Sequence, residues 1–206
     1  MAAPAAHPLP VRIGSTPVPE TGANAPLTAD EFLRLLHEGF FGTKRVELRR
    51  GVVILKMATS NLHLKAVAMV LQAMILRFTQ EGRFVGSQSN VKLAMDEAPQ
   101  PDVFVVRGDV QDVKEEVTPD RLLLVIEVSV TSLREDRTEK AAQYARAGIA
   151  EYWIVNPAGR QIEIRREPRV GEYTLIQIVD DPGTVSSLFA PQIEFLTGAL
   201  MPLKKS

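Results

Sequence analysis

The sequence predicts an α/β domain with a central mixed β-sheet flanked by helices and finished by antiparallel hairpins. Three observations carry that prediction. Residues 122–128, Leu-Leu-Leu-Val-Ile-Glu-Val, form an almost continuous apolar run of strand length. Helix signals and then a second apolar run, residues 151–156, follow it, which is the order of a right-handed strand–helix–strand crossover. Residues 61–80 carry Leu64, Val67, Leu71, Met74 and Phe78 at helical spacing. Beyond Pro157 the chain breaks into short β-rich runs separated by Gly and Pro, the pattern of hairpins.

Taken in order, Thr28 with Glu31 makes a capping box before "DEFLRLLHEG", and Gly39 ends that short helix. "RVELRRGVVILKM" reads as two strands around Gly51. The long helix over 61–80 is closed by Gly82. "RFVGSQSNVKLAM" reads as one bent strand or two, and "PDVFVV" enters another with Asp102 at its start. A polar connection over 108–119 leads to the strand at 121–129. Ser132 with Glu135 is a second capping box, so a helix is expected over about 133–147, stopped by Gly148. The strand at 151–156 ends at Pro157, and "RQIEIRRE", "GEYTLIQIVD" and "TVSSLF" supply the hairpins.

With 206 residues and 45% hydrophobic content the chain can bury a substantial core. Residues 1–26 hold six of its fourteen prolines and read as a flexible arm rather than a signal peptide. Residues 27–206 are expected to be one domain. The absence of cysteine excludes disulfide and thiolate chemistry and fits a reducing, cytoplasmic setting. A net charge of −1 gives no general attraction to nucleic acid, so phosphate binding must come from local groups or a metal. The longest apolar stretch contains His63, Lys65, Gln72 and Arg77, which argues against a membrane span. No G-x-S-x-G supports a serine triad. Three scattered histidines without H-E-x-x-H leave little to bind zinc.

The chemistry-bearing residues are carboxylates. Alternation puts Leu123, Val125, Glu127 and Ser129 on one face of their strand and Leu122, Leu124, Ile126 and Val128 on the other. The second face is core. Glu127 interrupts the first, and a buried carboxylate must neutralise, pair or hold a cation. Asp102 starts another apolar strand and can converge on it. Two carboxylates, a backbone carbonyl and waters suit Mg²⁺. The alternative is that Asp102 caps a turn and Glu127 pairs with Lys or Arg. Asp136, Lys140 and Tyr144 share a helical stripe expected to face the sheet, leaning Lys140 toward Glu127. The alternative there is a surface Asp136–Lys140 pair.

"PDVFVV", "SNLHLKAVAMVLQ" and above all "LLLVIEVSVTSLREDRTEKAAQYARAGIAEYWIVNP" resemble the bacterial Uma-type restriction endonuclease family, a branch of the PD-(D/E)XK nuclease superfamily. The resemblance spans roughly residues 28–197. It implies a restriction-endonuclease-like core and a metal-dependent endonuclease acting on DNA. Asp102 and Glu127 would be metal ligands, joined by the backbone carbonyl of Val128, for Mg²⁺ with Mn²⁺ as substitute. Ser129 stands where the wider superfamily has lysine, and Lys140 is expected to take over that duty. Glu47 matches an early acidic position of such sites, and His63 matches a helix-start histidine without an assigned role. Val52 departs from the glutamate many relatives carry there. Lys44, Arg45, Arg49 and Arg50 either touch phosphates or form a solvated hairpin face. A homodimer is expected, to cut two strands with two sites. The rival expectation is a catalytically silent relative that binds nucleic acid or protein, favoured by the near-neutral charge and the missing lysine at Ser129.

Overall fold

The structure, a computed structural model, describes residues 25–57, 59–79, 82–112 and 116–203. The arm expected over residues 1–26 lies outside them except for Ala25 and Pro26. Helix α1 (Ala29–His37) starts with the expected capping box: Thr28 Oγ accepts the Glu31 N–H, and Glu31 accepts the Thr28 N–H. Strands β1 (Val46–Arg49) and β2 (Val52–Leu55) form their own two-stranded antiparallel sheet. Arg50 and Gly51 turn the hairpin with φ of 50° and 73°, which is the left-handed pair a tight two-residue loop requires.

Helix α2 (Asn61–Phe78) precedes β3 (Arg83–Ser87), β4 (Val103–Arg107) and β5 (Leu122–Val128). Short helix α3 (Leu133–Glu135), a π turn (Asp136–Lys140) and α4 (Ala141–Arg146) connect β5 to β6 (Glu151–Asn156). Strands β7 (Gln161–Arg169) and β8 (Glu172–Asp180) complete a six-stranded sheet in the order β3-β4-β5-β6-β7-β8. Only β5 and β6 run parallel, so the sheet is mixed as expected. Strands β9 (Thr184–Ser187) and β10 (Ala190–Leu196) pair as a last hairpin. No described helix is long and apolar enough to cross a membrane.

The sheet is covered on both faces. Val67, Val70, Met74 and Phe78 of α2 pack with Val103, Ile126, Trp153 and the β9–β10 hairpin on one side. Tyr144, Ile149, Tyr152 and Tyr173 pack with Phe104 and Val125 on the other. A third, smaller core joins α1 to β1 and Ala98.

Four details differ from the sequence reading. Leu64 is 58% exposed, because the buried stripe of α2 runs through Ala66, Val67, Val70, Met74 and Phe78 instead. The stretch after Gly82 is one strand, and residues 88–93 continue as irregular chain. The register of β5 slips between Val105 and Val106, pairing Leu124 with one and Leu122 with the other. That bulge sends Leu122 into the Tyr144 core, away from Leu124 and Ile126. The Ser132–Glu135 capping box does not form: Ser132 Oγ donates to Asp136 Oδ2 at 2.6 Å, because a buried carboxylate is the stronger acceptor.

Gly86 lies against the Phe104 ring, where a Cβ would come 2.3 Å from Cζ. Gly86→Ala should therefore cost about 1–3 kcal/mol by overpacking. Urea denaturation checks it, and an unchanged midpoint would refute the close approach.

Candidate functional site

The register that pairs Val103 with Ile126 sets Asp102 opposite Glu127 one step further along. Pro101 leads Asp102 into β4, and both carboxylates are almost wholly buried, 3% and 2% exposed. Asp102 Oδ2 accepts the Val128 N–H at 2.9 Å and lies 3.0 Å from His63 Nε2. An ionised carboxylate only accepts, so that ring nitrogen carries the hydrogen. Burial pushes the Asp102 carboxyl up, but His63, Lys56 and the Val128 N–H outweigh it and hold it below the usual range.

Glu127 is held from the helical side. Its Oε1 accepts the Tyr144 hydroxyl at 2.7 Å and lies 2.8 Å from Lys140 Nζ. Burial pushes the Glu127 carboxyl up to about 7, opposed by Lys140 and reinforced by Asp102. Lys140 keeps its proton well above the ordinary lysine range, because Glu127, Asp136 and Glu47 outweigh its burial. Asp136 Oδ1 stands 3.7 Å from Lys140 Nζ, while its Oδ2 accepts both Ser129 Oγ and Ser132 Oγ. The π turn places Asp136 and Lys140 together on the sheet side, both buried. Wider turns of this kind recur at functional sites.

Glu47 arrives from β1. Its Oε1 accepts from Arg49 at 2.7 Å, while Oε2 has no hydrogen-bond partner and lies 3.8 Å from Lys56 Nζ. Burial raises its pKa, but Lys140, Lys56 and Arg49 together hold it below the usual range. Arg49 also grips Glu135 at 2.6 Å and Glu139, fastening the β1–β2 hairpin to the helical segment. Glu47, Lys56, His63, Asp102, Glu127, Val128 and Lys140 all line one cavity of about 360 Å³.

The structure thus brings together Asp102, Glu127, Lys140, Glu47, Val128 and His63 of the residues singled out from the sequence. The surface alternative for Asp136–Lys140 is excluded by their burial. Of the four basic residues at the hairpin, Lys44 and Arg50 are exposed, while Arg49 is consumed by three glutamates. Two participants escaped the sequence reading. Lys56 ends an apolar strand as its one cation, a signal that was available. Tyr144 was read as a packing residue, and its hydroxyl bond to Glu127 was not foreseen.

Three buried carboxylates that line the cavity share one feature. Asp102, Glu127 and Glu47 each have one oxygen fixed by protein donors and a second with no hydrogen bond among the described residues. That split suits a cation, which needs lone pairs not already spent. Among the described residues no three His, Cys, Asp or Glu side chains lie close enough to form a metal cage. A metal here would draw on two carboxylates and a main-chain oxygen.

A family model described as "Putative restriction endonuclease", Uma2, matches residues 29–199. The chain belongs to the Uma2 family. This Uma2 protein has the fold of a "putative nuclease belonging to DUF820" from Anabaena variabilis ATCC 29413, with a TM-score of 0.63 at 17% identity, covering 85% of this chain and 97% of that one. No curated protein matches the sequence. In this Uma2 chain the position two after the glutamate is Ser129, bonded to Asp136, and the ammonium beside Glu127 comes from Lys140 instead.

Removing one member of a buried ion pair strands the other. Lys140→Met should destabilise by about 3–5 kcal/mol, and adding Glu127→Gln should recover a large part of that loss. A double-mutant cycle by chemical denaturation measures it. Additive losses would show that the pair is not coupled.

Proposed function

We propose that this Uma2 protein is a divalent-cation-dependent nuclease that hydrolyses phosphodiester bonds of DNA. The observation that supports this most is the convergence of Asp102 and Glu127. Each offers an oxygen without a protein donor, inside a cavity that also holds Lys140.

Asp102, Glu127 and the Val128 carbonyl would hold Mg²⁺ or Mn²⁺. Such an ion, when bound, polarises the phosphoryl group and lowers the pKa of water. The chain's own residues do the rest. His63 and the Val128 N–H fix the Asp102 carboxylate, so its second oxygen keeps one direction. Lys140 and Tyr144 do the same for Glu127, and Lys140 favours its ionised form. Glu47 adds negative charge to the same wall. Hydrolysis joins the oxygen of water to phosphorus and breaks the bond from phosphorus to the leaving sugar oxygen, which takes a proton. No covalent enzyme intermediate is required. Two sites in a homodimer would cut both strands of a duplex, and a chain without cysteine is suited to the cytoplasm.

One observation favours a second reading, a catalytically silent binding module. Arg49 is neutralised by three glutamates and the chain carries a net charge of −1, so few cations remain for a polyanion.

Calorimetric titration of Mn²⁺ beside plasmid nicking separates the two. Asp102→Asn and Glu127→Gln should weaken Mn²⁺ binding at least about tenfold and abolish nicking together. Glu127→Gln binding Mn²⁺ as tightly as wild type would sink the nuclease reading.

A further inference from the structure

We propose that Lys56, with Arg45 beside it, is the group that takes the substrate's phosphate, and that Lys140 is not. The proposal rests on the nuclease reading and sharpens it: an anion subsite adjoins the two carboxylates.

Lys140 is already committed. Its ammonium sits 2.8 Å from Glu127 and 3.7 Å from Asp136, and its side chain is 7% exposed. Moving it to a phosphate oxygen would break its 2.8 Å contact with Glu127 and leave that buried carboxylate without its cation. Lys140 is therefore a positioning residue, acting through Glu127.

Lys56 is in the opposite condition. Its side chain is 18% exposed and lines the same cavity. An ammonium has three hydrogens. One goes to the Gln100 carbonyl at 2.8 Å, and Glu47 Oε2, at 3.8 Å, lies beyond hydrogen-bond reach. Among the described residues the remaining donors have no hydrogen-bond acceptor and can turn to an incoming one.

Gln100 ties this cation to the carboxylate wall. Its side-chain oxygen accepts from Arg45 Nε at 2.9 Å while its main-chain oxygen accepts from Lys56. Lys56 N–H in turn donates to the Arg45 carbonyl at 2.9 Å across the hairpin. Arg45 also lines the cavity, and its Nη2 is buried with no hydrogen-bond partner among the described residues. A buried guanidinium nitrogen lacking an acceptor is costly unless an anion completes it. Gln100 stands two residues before Asp102, so one short segment sets both the cationic pair and the first carboxylate. A phosphodiester must approach Asp102, Glu127 and Glu47, all acidic, and Lys56 and Arg45 offset that charge where the approach occurs.

The test uses the full chain. Binding of a fluorescein-labelled DNA duplex is read by anisotropy with Ca²⁺, Mn²⁺ binding by calorimetry, and turnover by plasmid nicking with Mn²⁺. Lys56→Met keeps the aliphatic stem. It should weaken DNA binding about tenfold or more and slow nicking about 10²-fold, while Mn²⁺ affinity stays equal or rises. Lys56→Arg, which keeps the charge, should restore much of the binding and confirm that the fold is intact. Arg45→Met should weaken DNA binding in the same direction. If Lys56→Met binds and nicks like wild type, the subsite is refuted and the nuclease reading stands. If it loses Mn²⁺ together with DNA, Lys56 acts only through the carboxylates and the proposal also falls. A wild-type chain that takes up neither Mn²⁺ nor DNA would overturn both readings at once.

Discussion

A carboxylate in the middle of the most apolar strand is the constraint around which this molecule is organised. Glu127 cannot be left bare at 2% exposure. Lys140 answers its charge, and Asp136 answers Lys140 in turn. Ser129 and Ser132 spend their hydroxyls on Asp136, and Tyr144 spends its own on Glu127. Each partner brings a local distortion with it. The helix after β5 opens into a π turn over Asp136–Lys140, and its first turn forfeits a serine cap. A well-packed hydrophobic replacement is often no less stable, so stability alone does not account for the arrangement.

The division of labour across the sheet follows from that arrangement. Strands β4 and β5 present the two carboxylates from a buried, doubly covered platform, and rigid elements hold functional groups more accurately than loops do. The helical side supplies the counter-charge. The hairpin β1–β2 and its flanking residues add Arg45, Lys56 and an oxygen of Glu47 without a hydrogen bond among the described residues.

Much of this was legible in the sequence where the information is local. The strand–helix–strand crossover, the position of Asp102 at the start of an apolar run and the lean of Lys140 toward Glu127 all follow from periodicity over thirty-odd neighbouring residues. What escaped was tertiary or competitive. The bulge that turns Leu122 to the other face depends on how β4 and β5 meet, not on either strand alone. Ser132 and Glu135 have the spacing of a cap, but a buried acceptor four residues on draws the serine away. Lys56 was passed over, although it closes an apolar run, because its hydrogen-bond partner Gln100 lies 44 residues away. Strand β10 had no reading of its own, because Pro191 weakens the strand signal of its short run.

The third core has a consequence for how the site holds together. Ala29, Phe32, Leu33, Val46, Leu48 and Ala98 form a small lobe apart from the two faces of the main sheet. It is held to the rest of the molecule by Asn90 Nδ2 donating to the Val46 carbonyl and by Arg49 on Glu135 and Glu139. Domains open in pieces, and the piece with the smaller core opens at the lower free energy. The cavity lies on the seam between the lobe and the main sheet. Residues of both line it, so the cavity is complete only while the lobe stays docked on the sheet.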